Sequence, residues 1–359
     1  MRGDKRYSRM IYPLSVLRRF AVGLVAVVFA VVLGGAAWAA TNTYSGVESE
    51  AGTVTSAASQ VADSSASGGQ AVKFGMAAGG CAVATPFTPD GPDPWGGCWP
   101  GPQSTGVPAG ETLTVVNGNQ TYDSSYNGQT ISNREFRGFV TVTGSNITFV
   151  NCLFRGGTAS GNSRLLYATG GATNITVMDS DFEPMNPAPT IDGSRALNTT
   201  FLRVDIRGTT DGIKTGNNVT IRDSYIHDML WWASDPNQGG GQTHNDGIQI
   251  LSGVGVDIIH NTIRPAGEHG SNAAVQITQD QGAVDDILIE KNHVDWGGCT
   301  LNIANKPLAT LTGVSTLDNH FGRNQRYANC AMLLASGVTL AGYSGNVWGD
   351  NGQPIPDPR

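Results

Sequence analysis

The chain has 359 residues, of which 48 are glycine and 14% are charged, and its formal net charge is −7. This glycine content, without a three-residue period, excludes collagen, a helical bundle and a coiled coil. The 39% of hydrophobic residues are enough for a packed core. An acidic chain binds nucleic acid and anionic membranes poorly, so we expect neither as a partner.

The N-terminus has the organisation of a signal peptide. Residues 1–39 contain six Lys or Arg and one Asp, an apolar run from Phe20 to Leu33, and the small-residue sequence Ala37-Trp38-Ala39. The run of about 14 residues is shorter than the roughly 20 that span a bilayer. We therefore expect cleavage after Ala39 and a secreted, extracellular protein. An uncleaved N-terminal anchor is the alternative.

Two segments of biased composition follow. Residues 40–75 are rich in Ser, Ala, Gly and Thr, and we interpret them as a linker or a vestigial hairpin. Residues 76–110 are rich in Pro and Gly and contain Cys81 and Cys98. Because an extracellular environment permits disulfides, we expect these residues to form an N-terminal cap with the two cysteines bonded.

Residues 111–352 are repetitive, and residues 353–359 form a tail. Similar segments such as NITFVNCLF and NVTIRDSYI recur at intervals of 20 to 38 residues. Apolar residues alternate within each segment, which is typical of strands, and such repeats indicate units that bury their apolar faces only by stacking. The pattern predicts an all-β fold, a parallel β-helix (solenoid). The Asn-x-Thr triplets at 146, 174, 198 and 218 recur in phase with the repeat, so we interpret them as turns that lead into strands.

A second strand precedes most of the repeats, and its alignment gives two columns of side chains. The inward column contains Ile213, Ile248, Val275, Leu301 and Met332. Because neighbouring residues of a strand face opposite sides, the residues that follow form an outward column, namely Lys214, Gln249, Gln276 and Asn302.

The same alignment predicts the state of the remaining cysteines. Cys299 and Cys330 each precede an inward residue by two positions, so they lie on neighbouring coils about 4.8 Å apart, and this spacing suits a disulfide. Cys152 belongs to another column, an inward ladder of small or amide-bearing residues at a bend. We expect it to be a buried free thiol among Ser180, Val204, Ser224, Asn261, Asn292 and Asn319.

Two aspartates are candidates for catalysis. Asp211 and Asp246 occupy equivalent positions on neighbouring coils, and each precedes a glycine. Two carboxylates about 5 Å apart resist ionising together and can share a proton. Glycoside hydrolases usually use such a pair of carboxyl groups for catalysis. Strict alternation instead turns both aspartates inward, where they would bond turn amides, while the glycines permit a bend that would free them.

Further residues surround this pair. The loop residues His244 and His269 can move protons or orient a carboxylate. Lys214 is the one charge of the outward column. With Arg264 one loop away, it can neutralise a uronate carboxylate or remove the adjacent proton in β-elimination.

The longest insertion, residues 229–245, carries Trp231 and Trp232, whose flat rings suit stacking on sugars or pin the insertion in place. His293 and His320 stack on a different face, and we interpret them as surface residues.

From about Gly106 to Trp348, the chain resembles the pectin-lyase-like superfamily of right-handed parallel β-helices, in its secreted actinobacterial type. Thr210-Asp211-Gly212 matches the first aspartate motif of the polygalacturonase family, and Asn245-Asp246 matches half of the second. Glu268-His269-Gly270 resembles the histidine motif. Asn245 replaces the family's proton-donating aspartate, and Lys214 stands where the first motif usually continues with an acid. The resemblance therefore implies a lyase or another glycanase more than a polygalacturonase.

These observations predict a secreted carbohydrate-active enzyme that cleaves a polysaccharide by glycoside hydrolysis or β-elimination. The predicted catalytic residues are Asp211, Asp246, His269, Lys214 and His244. The predicted substrate-binding residues are Gln249, Gln276, Asn302, Trp231, Trp232 and Arg264. The cofactor is undefined, although β-elimination would use a divalent cation such as calcium. The alternative is a non-catalytic glycan-binding or surface β-helix module, and we expect a monomer.

Overall fold

The computed structural model describes residues 58–62, 70–74, 80–266, 270–306 and 308–358. The chain divides into two compact units, Met1–Ala77 and Ala78–Arg359. In the first unit, β1 (Ala58–Ala62) and β2 (Gln70–Phe74) pair antiparallel. Residues 40–75 therefore contain a short hairpin.

The second unit contains two long parallel sheets, whose strands are numbered in chain order. The nine-strand sheet consists of β4 (Gln120–Tyr122), β6 (Val140–Val142), β8 (Ser163–Ala168), β11 (Ile191–Ala196), β14 (Ile213–Thr215), β17 (Asp246–Ile250), β20 (Ala273–Ile277), β23 (Leu301–Ile303) and β26 (Met332–Leu334).

The seventeen-strand sheet contains two strands from most coils, joined by a bend. It consists of β3 (Thr114–Asn117), β5 (Thr130–Arg137), β7 (Thr148–Phe154), β9 (Ile175–Met178), β10 (Asp181–Phe182), β12 (Thr199–Leu202), β13 (Asp205–Ile206), β15 (Val219–Arg222), β16 (Tyr225–His227), β18 (Gly253–Ile259), β19 (Thr262–Arg264), β21 (Val284–Glu290), β22 (His293–Val294), β24 (Val314–Leu317), β25 (His320–Phe321), β27 (Gly342–Ser344) and β28 (Val347–Trp348).

The architecture is a right-handed parallel β-helix, which confirms the predicted fold. The coil formed by β14, β15 and β16 pairs strand for strand with the next coil, formed by β17, β18 and β19. Helix in the described residues is limited to two 3-10 turns, Ser124–Tyr126 and Pro236–Gln238. None of the helical segments in this part of the chain has the length and apolar character needed to cross a membrane.

The core consists of columns of inward-facing side chains, each column formed by equivalent positions on successive coils. The predicted inward column is paired in register, and its members are buried except for the half-buried Met332. Near the N-terminal end, the larger rings of Phe136, Phe154 and Phe182 fill the interior, and the last two stack with centroids 4.6 Å apart. The apolar interior drives the stacking of coils that could not fold alone.

Each coil also turns at residues with left-handed backbone conformation. Asn146, Asn174, Asn198 and Asn218, the first residues of the four Asn-x-Thr triplets, have φ between 50° and 56°. Asparagine tolerates this region better than most residues with a side chain. Their side chains also bond between coils, since Asn174 donates to Asn146 at 2.7 Å. The triplets are therefore turns that lead into strands, as predicted.

A buried ladder of polar side chains fixes the bend inside the seventeen-strand sheet. Asn261 donates its side-chain amide to the Ile221 carbonyl at 2.8 Å and to Asn292 Oδ1 at 3.0 Å. Asn292 repeats both bonds toward Ile258 and Asn319. The predicted column from Cys152 to Asn319 is confirmed, and the structure extends it to Asn346, which accepts from Asn319. These bonds satisfy backbone carbonyls that the strand ladders leave free.

The cysteine predictions are also confirmed. Cys81–Cys98 and Cys299–Cys330 are bonded, with Cα atoms 5.6 Å and 4.7 Å apart. Cys152 is free and buried, and burial raises the pKa of its thiol to about 11. A thiol that stays protonated is chemically inert.

We expect Asn292→Ala to lower the free energy of unfolding by about 3 kcal/mol or more. The substitution leaves the Ile258 carbonyl and the Asn261 backbone N–H without partners, and each buried unpaired group costs about 1–3 kcal/mol. Urea unfolding followed by tryptophan fluorescence measures the change. The exposed Asn162→Ala is the control, expected within about 0.5 kcal/mol of the parent, and equal losses in the two variants would contradict a structural ladder.

Residues 80–107 form a lateral strap along the outer face of the seventeen-strand sheet. At one end the Phe87 ring packs on Gly349, beside the last coil. At the other end the Val107 N–H donates to Asp181 Oδ2 at 2.9 Å, next to β10. Trp99 is buried in the middle of the strap. The segment predicted as an N-terminal cap therefore runs along the coils and spans most of their length.

The strap corrects one interpretation of the histidines. His293 and His320 stack in register, as predicted, but His293 is only 1% exposed and is not a surface residue. The Phe87 ring lies 3.9 Å from the His293 ring, and Trp99 lies 5.4 Å from it. Burial lowers the pKa of His293 well below its ordinary value. The sequence alone gives no sign that a distant segment covers this face.

His260 joins the strap to the sheet electrostatically. Its Nε2 lies 3.2 Å from Asp93 of the strap, and its Nδ1 lies 2.6 Å from Asp223. Burial lowers the pKa of His260, but the bonds and charges of the two carboxylates outweigh burial and raise it to about 9. At neutral pH His260 is therefore an imidazolium, and its ion pairs with Asp93 and Asp223 attach the strap to the sheet.

Because its folded pKa exceeds the unfolded value, His260 contributes stability that is complete below about pH 6.5 and is lost as pH rises through about 9. We expect the parent to lose about 2 kcal/mol more than His260→Gln between pH 7 and pH 10. Urea unfolding at stepped pH measures this difference. The exposed His244→Gln should follow the parent, and parallel pH profiles for the parent and His260→Gln would refute the ionic contact.

Candidate functional site

The outward column of the nine-strand sheet lies where the sequence places it. Its members are paired in register on β14, β17, β20 and β23, and they are Lys214, Gln249, Gln276 and Asn302. Arg195 on β11 precedes the column, and Leu333 on β26 follows it. Gln276 is almost covered by its neighbours, so the column opens to solvent only toward its ends.

An Asp-Gly pair lies at or within two residues of the start of three consecutive strands of this sheet, at positions 192, 211 and 246. The backbone N–H of Gly212 donates to the Asp246 carbonyl at 3.0 Å. A Cβ on Gly212 would collide with the carbonyl oxygen of Gly247 on the next coil. These glycines therefore allow neighbouring coils to approach. The aspartate side chains lie on the side of the outward column, where Asp211 contacts Lys214 and Asp246 accepts from Gln249.

Asp211 and Asp246 lie on neighbouring coils, and they are 3% and 0% exposed. Asp211 Oδ1 accepts from the Asp246 backbone N–H at 2.8 Å. Asp246 accepts from Asn272 at 2.9 Å and from Gln249 at 3.2 Å. Burial, with repulsion from Asp211, raises the pKa of Asp246 well above its ordinary value. Both carboxylates serve bonds within the coils, and Asp246 is sealed from solvent.

Lys214 is held by two carboxylates. Its Nζ lies 2.8 Å from Asp192 and 2.9 Å from Asp211. Burial lowers the pKa of Lys214, but the two carboxylates raise it further, so it lies above the ordinary lysine value. Burial raises the pKa of Asp192 to about 6, against the attraction of Lys214. Sequence reasoning missed Asp192, although Asp192-Gly193 is the same signal one coil earlier.

The polar network continues along the sheet to a cleft. Asn272 also donates to Gln276 Oε1 at 3.1 Å, and the same oxygen accepts from Asn302 Nδ2 at 2.7 Å. The chain of bonds ends there, because Asn302 Oδ1 is buried without a partner.

Two clefts flank the outward column, and His244 lines both. The first has a volume of about 560 Å³, and its walls include Trp231, Ser271, Asn302, Arg326, Tyr327 and Leu333. Among the described residues that line it, none is an Asp or a Glu. The second has a volume of about 350 Å³ and is lined by Asp192, Asp211 and Asp280 with Lys214 and Lys306. The two ends of the column therefore differ in charge.

The other predicted site residues are dispersed. His244 is exposed between the clefts, and Trp231 lines the first. Trp232 is half-buried and ties the insertion together, because its backbone N–H donates to Thr243 Oγ1 at 2.9 Å. Asn245, at the place of the family's proton donor, is buried and bonds the Leu230 carbonyl. His269 lies outside the described residues.

The structure also corrects the position of Arg264. It lies on β19 of the seventeen-strand sheet, in register with His227 and away from the column of Lys214. Its charge acts on Tyr225 and Asp228. Arg264 follows the bend of its coil, so proximity in sequence to the loop does not place it on the groove.

Over residues 80–266, 270–306 and 308–358, no three His, Cys, Asp or Glu side chains are grouped as ligands for a metal ion.

Comparison with known proteins gives few relatives. No protein-family model and no curated protein matches the chain. Similar solved structures include two trypsin-treated forms of QnrB1, a plasmid-mediated fluoroquinolone resistance protein. The first is 10% identical, covers 66% of this chain and 92% of its own, and has a TM-score of 0.25. The second is 11% identical, covers 65% and 90%, and has a TM-score of 0.23.

The prediction of a polysaccharide-cleaving hydrolase or lyase is wrong. The physical reason lies in the chain itself, because the two aspartates of the predicted catalytic pair are buried and bonded within the coils. Lys214, the predicted partner of a uronate, is already neutralised by Asp192 and Asp211. Strict alternation did not predict the direction of the aspartates, because both contact side chains of the outward column. Their burial is the feature that the sequence did not show.

We expect Lys214→Met to lower the free energy of unfolding by about 3–5 kcal/mol, because it leaves buried carboxylates without their cation. Adding Asp192→Asn to that variant should restore part of the loss, since it removes one of the uncompensated charges. Urea unfolding measures both variants. Lys306→Met is the matched control: its side chain is 47% exposed and pairs with Asp280, so a loss of at most about 1 kcal/mol is expected.

Proposed function

We propose that this protein is a secreted, non-enzymatic β-helix that binds carbohydrate in the first cleft. The observation that carries the proposal is the composition of that cleft, whose described lining residues supply aromatic rings and amide side chains and include no carboxylate. Ligand sites combine apolar walls with a few polar groups that orient the ligand.

The aromatic residues lie on separate segments that meet at the cleft. Trp231 belongs to the long insertion, and Tyr327 follows β25 and is 64% exposed. Aromatic rings with a polar tip suit partners that have one apolar and one wet face, and a sugar ring is such a partner. Because Tyr327 is so exposed, most of its ring is accessible to a ligand.

Unpartnered polar atoms in the walls also support binding. Ser271 Oγ and Asn302 Oδ1 are buried without hydrogen-bond partners. Each such atom costs about 1–3 kcal/mol in the free protein, and a ligand rich in hydroxyl groups can complete both. Of the predicted substrate-binding residues, Trp231 and Asn302 line this cleft, and Gln249 lines the second.

The coil design supports placing the chain in the pectin-lyase-like superfamily as a non-catalytic member. Each complete coil has one strand in the nine-strand sheet and two in the seventeen-strand sheet, with a ladder of asparagines at the bend. The two disulfides and the N-terminal leader sequence support an extracellular location.

We expect oligosaccharide binding that Trp231→Ala and Tyr327→Ala each weaken about tenfold or more, the loss expected for a central aromatic contact. Calorimetry and affinity electrophoresis against plant, algal and bacterial glycans measure it, with product analysis expected to show no cleavage. Tyr167→Ala is the control, because Tyr167 pairs with Arg195 on the same sheet but lines neither cleft. Absence of binding to every glycan would reject the proposal, and so would an equal loss in the control.

A further inference from the structure

Asn302 and Leu333 form an unusual pair in the wall of the first cleft. They are in register on β23 and β26, so their side chains leave the sheet about 4.8 Å apart. Asn302 Nδ2 donates to Gln276 Oε1, which fixes the amide so that its free atom is an acceptor. Leu333 is 50% exposed in a cleft that is otherwise largely polar. The wall therefore holds a buried, unpaired hydrogen-bond acceptor directly beside an exposed apolar side chain.

A ligand hydroxyl would satisfy the acceptor but would leave Leu333 facing a polar group. A secondary amide satisfies both. In a trans amide, the N–H and the acyl carbon substituent lie along one edge, and the carbonyl oxygen points to the other. An acetamido group can therefore donate its N–H to Asn302 Oδ1 while its methyl group contacts Leu333.

The cleft also provides donors for the carbonyl oxygen. The Arg326 guanidinium donates to the Ser271 backbone carbonyl at 3.2 Å and retains further N–H groups. The Ser271 hydroxyl lies in the same wall without a partner. The described lining residues include no carboxylate, so a free ammonium group would meet Arg326 without a counter-ion among them.

We infer that the first cleft selects glycans that carry N-acetylated amino sugars, an inference that rests on the proposed carbohydrate binding. The χ2 torsion of asparagine is broad. A small rotation therefore turns Oδ1 of Asn302 toward the cleft while its Nδ2 remains within reach of Gln276.

The test uses three β-1,4-linked tetramers that differ at one position of the sugar: N-acetylglucosamine, glucosamine and glucose. Calorimetry with the full chain should show the acetylated tetramer binding about tenfold or more tightly than the glucose tetramer, from one hydrogen bond and one buried methyl group. The glucosamine tetramer should bind most weakly of the three.

Substitutions at Leu333 and Asn302 test whether these two residues cause the preference for the acetylated tetramer. Leu333→Ser should reduce the preference for the acetylated tetramer about fourfold, the value of one buried methyl group. Asn302→Leu should remove the part of the preference for the acetylated tetramer that comes from the hydrogen bond. Asn302→Asp keeps acceptor oxygens and should retain the preference. Leu308→Ser is the control, because Leu308 is 70% exposed and lies outside the lining of the cleft. Thermal unfolding of each variant confirms that it is folded.

The outcomes separate the two proposals. Equal affinity for the acetylated and glucose tetramers would overturn the selectivity and leave carbohydrate binding intact. Failure of all three tetramers and of the wider glycan panel to bind would overturn carbohydrate binding itself. A preference that survives both Leu333→Ser and Asn302→Leu would overturn the assignment to this wall.

Discussion

Parallel pairing in register between successive coils is the constraint on which the structure depends. Each residue has its equivalent directly above and below it at about 4.8 Å, because one strand spacing separates the coils. Side chains must therefore be compatible with copies of their own position. The asparagine ladder, the Cys299–Cys330 disulfide and the Asp-Gly pairs near the starts of three strands all follow from this condition.

Stacking of like residues brings equal charges together, and nearby side chains reduce the resulting repulsion. Asp192, Asp211 and Asp246 follow one another on three coils, and only Lys214 balances them within hydrogen-bond reach. The raised pKa of Asp246 is the cost that remains after this compensation. Similar clusters of carboxylates attract catalytic interpretation, because active sites also bring like charges together. Burial distinguishes the two cases here.

The sequence predicted those features that repeat. The fold, both columns of the nine-strand sheet, the ladder through Asn319 and the states of Cys152, Cys299 and Cys330 follow from periodicity, since the period determines which residues become neighbours. Features without a period escaped prediction. The strap, the burial of His293 and the position of Arg264 depend on where irregular segments fold back, and no local pattern encodes that. The catalytic interpretation failed because a short motif does not show that its aspartates are buried and bonded to neighbouring side chains.

The lateral strap changes how such a solenoid can come apart. In a simple stack each coil contacts only its neighbours, so the end coils fray and unfolding spreads from them. Here a single segment touches Gly349 beside the last coil, His260 in the middle and Asp181 several coils earlier. Opening the last coil therefore disturbs contacts that reach far beyond its neighbour. The strap converts a one-dimensional array into a more cooperative body, in which a protease finds fewer partly opened states.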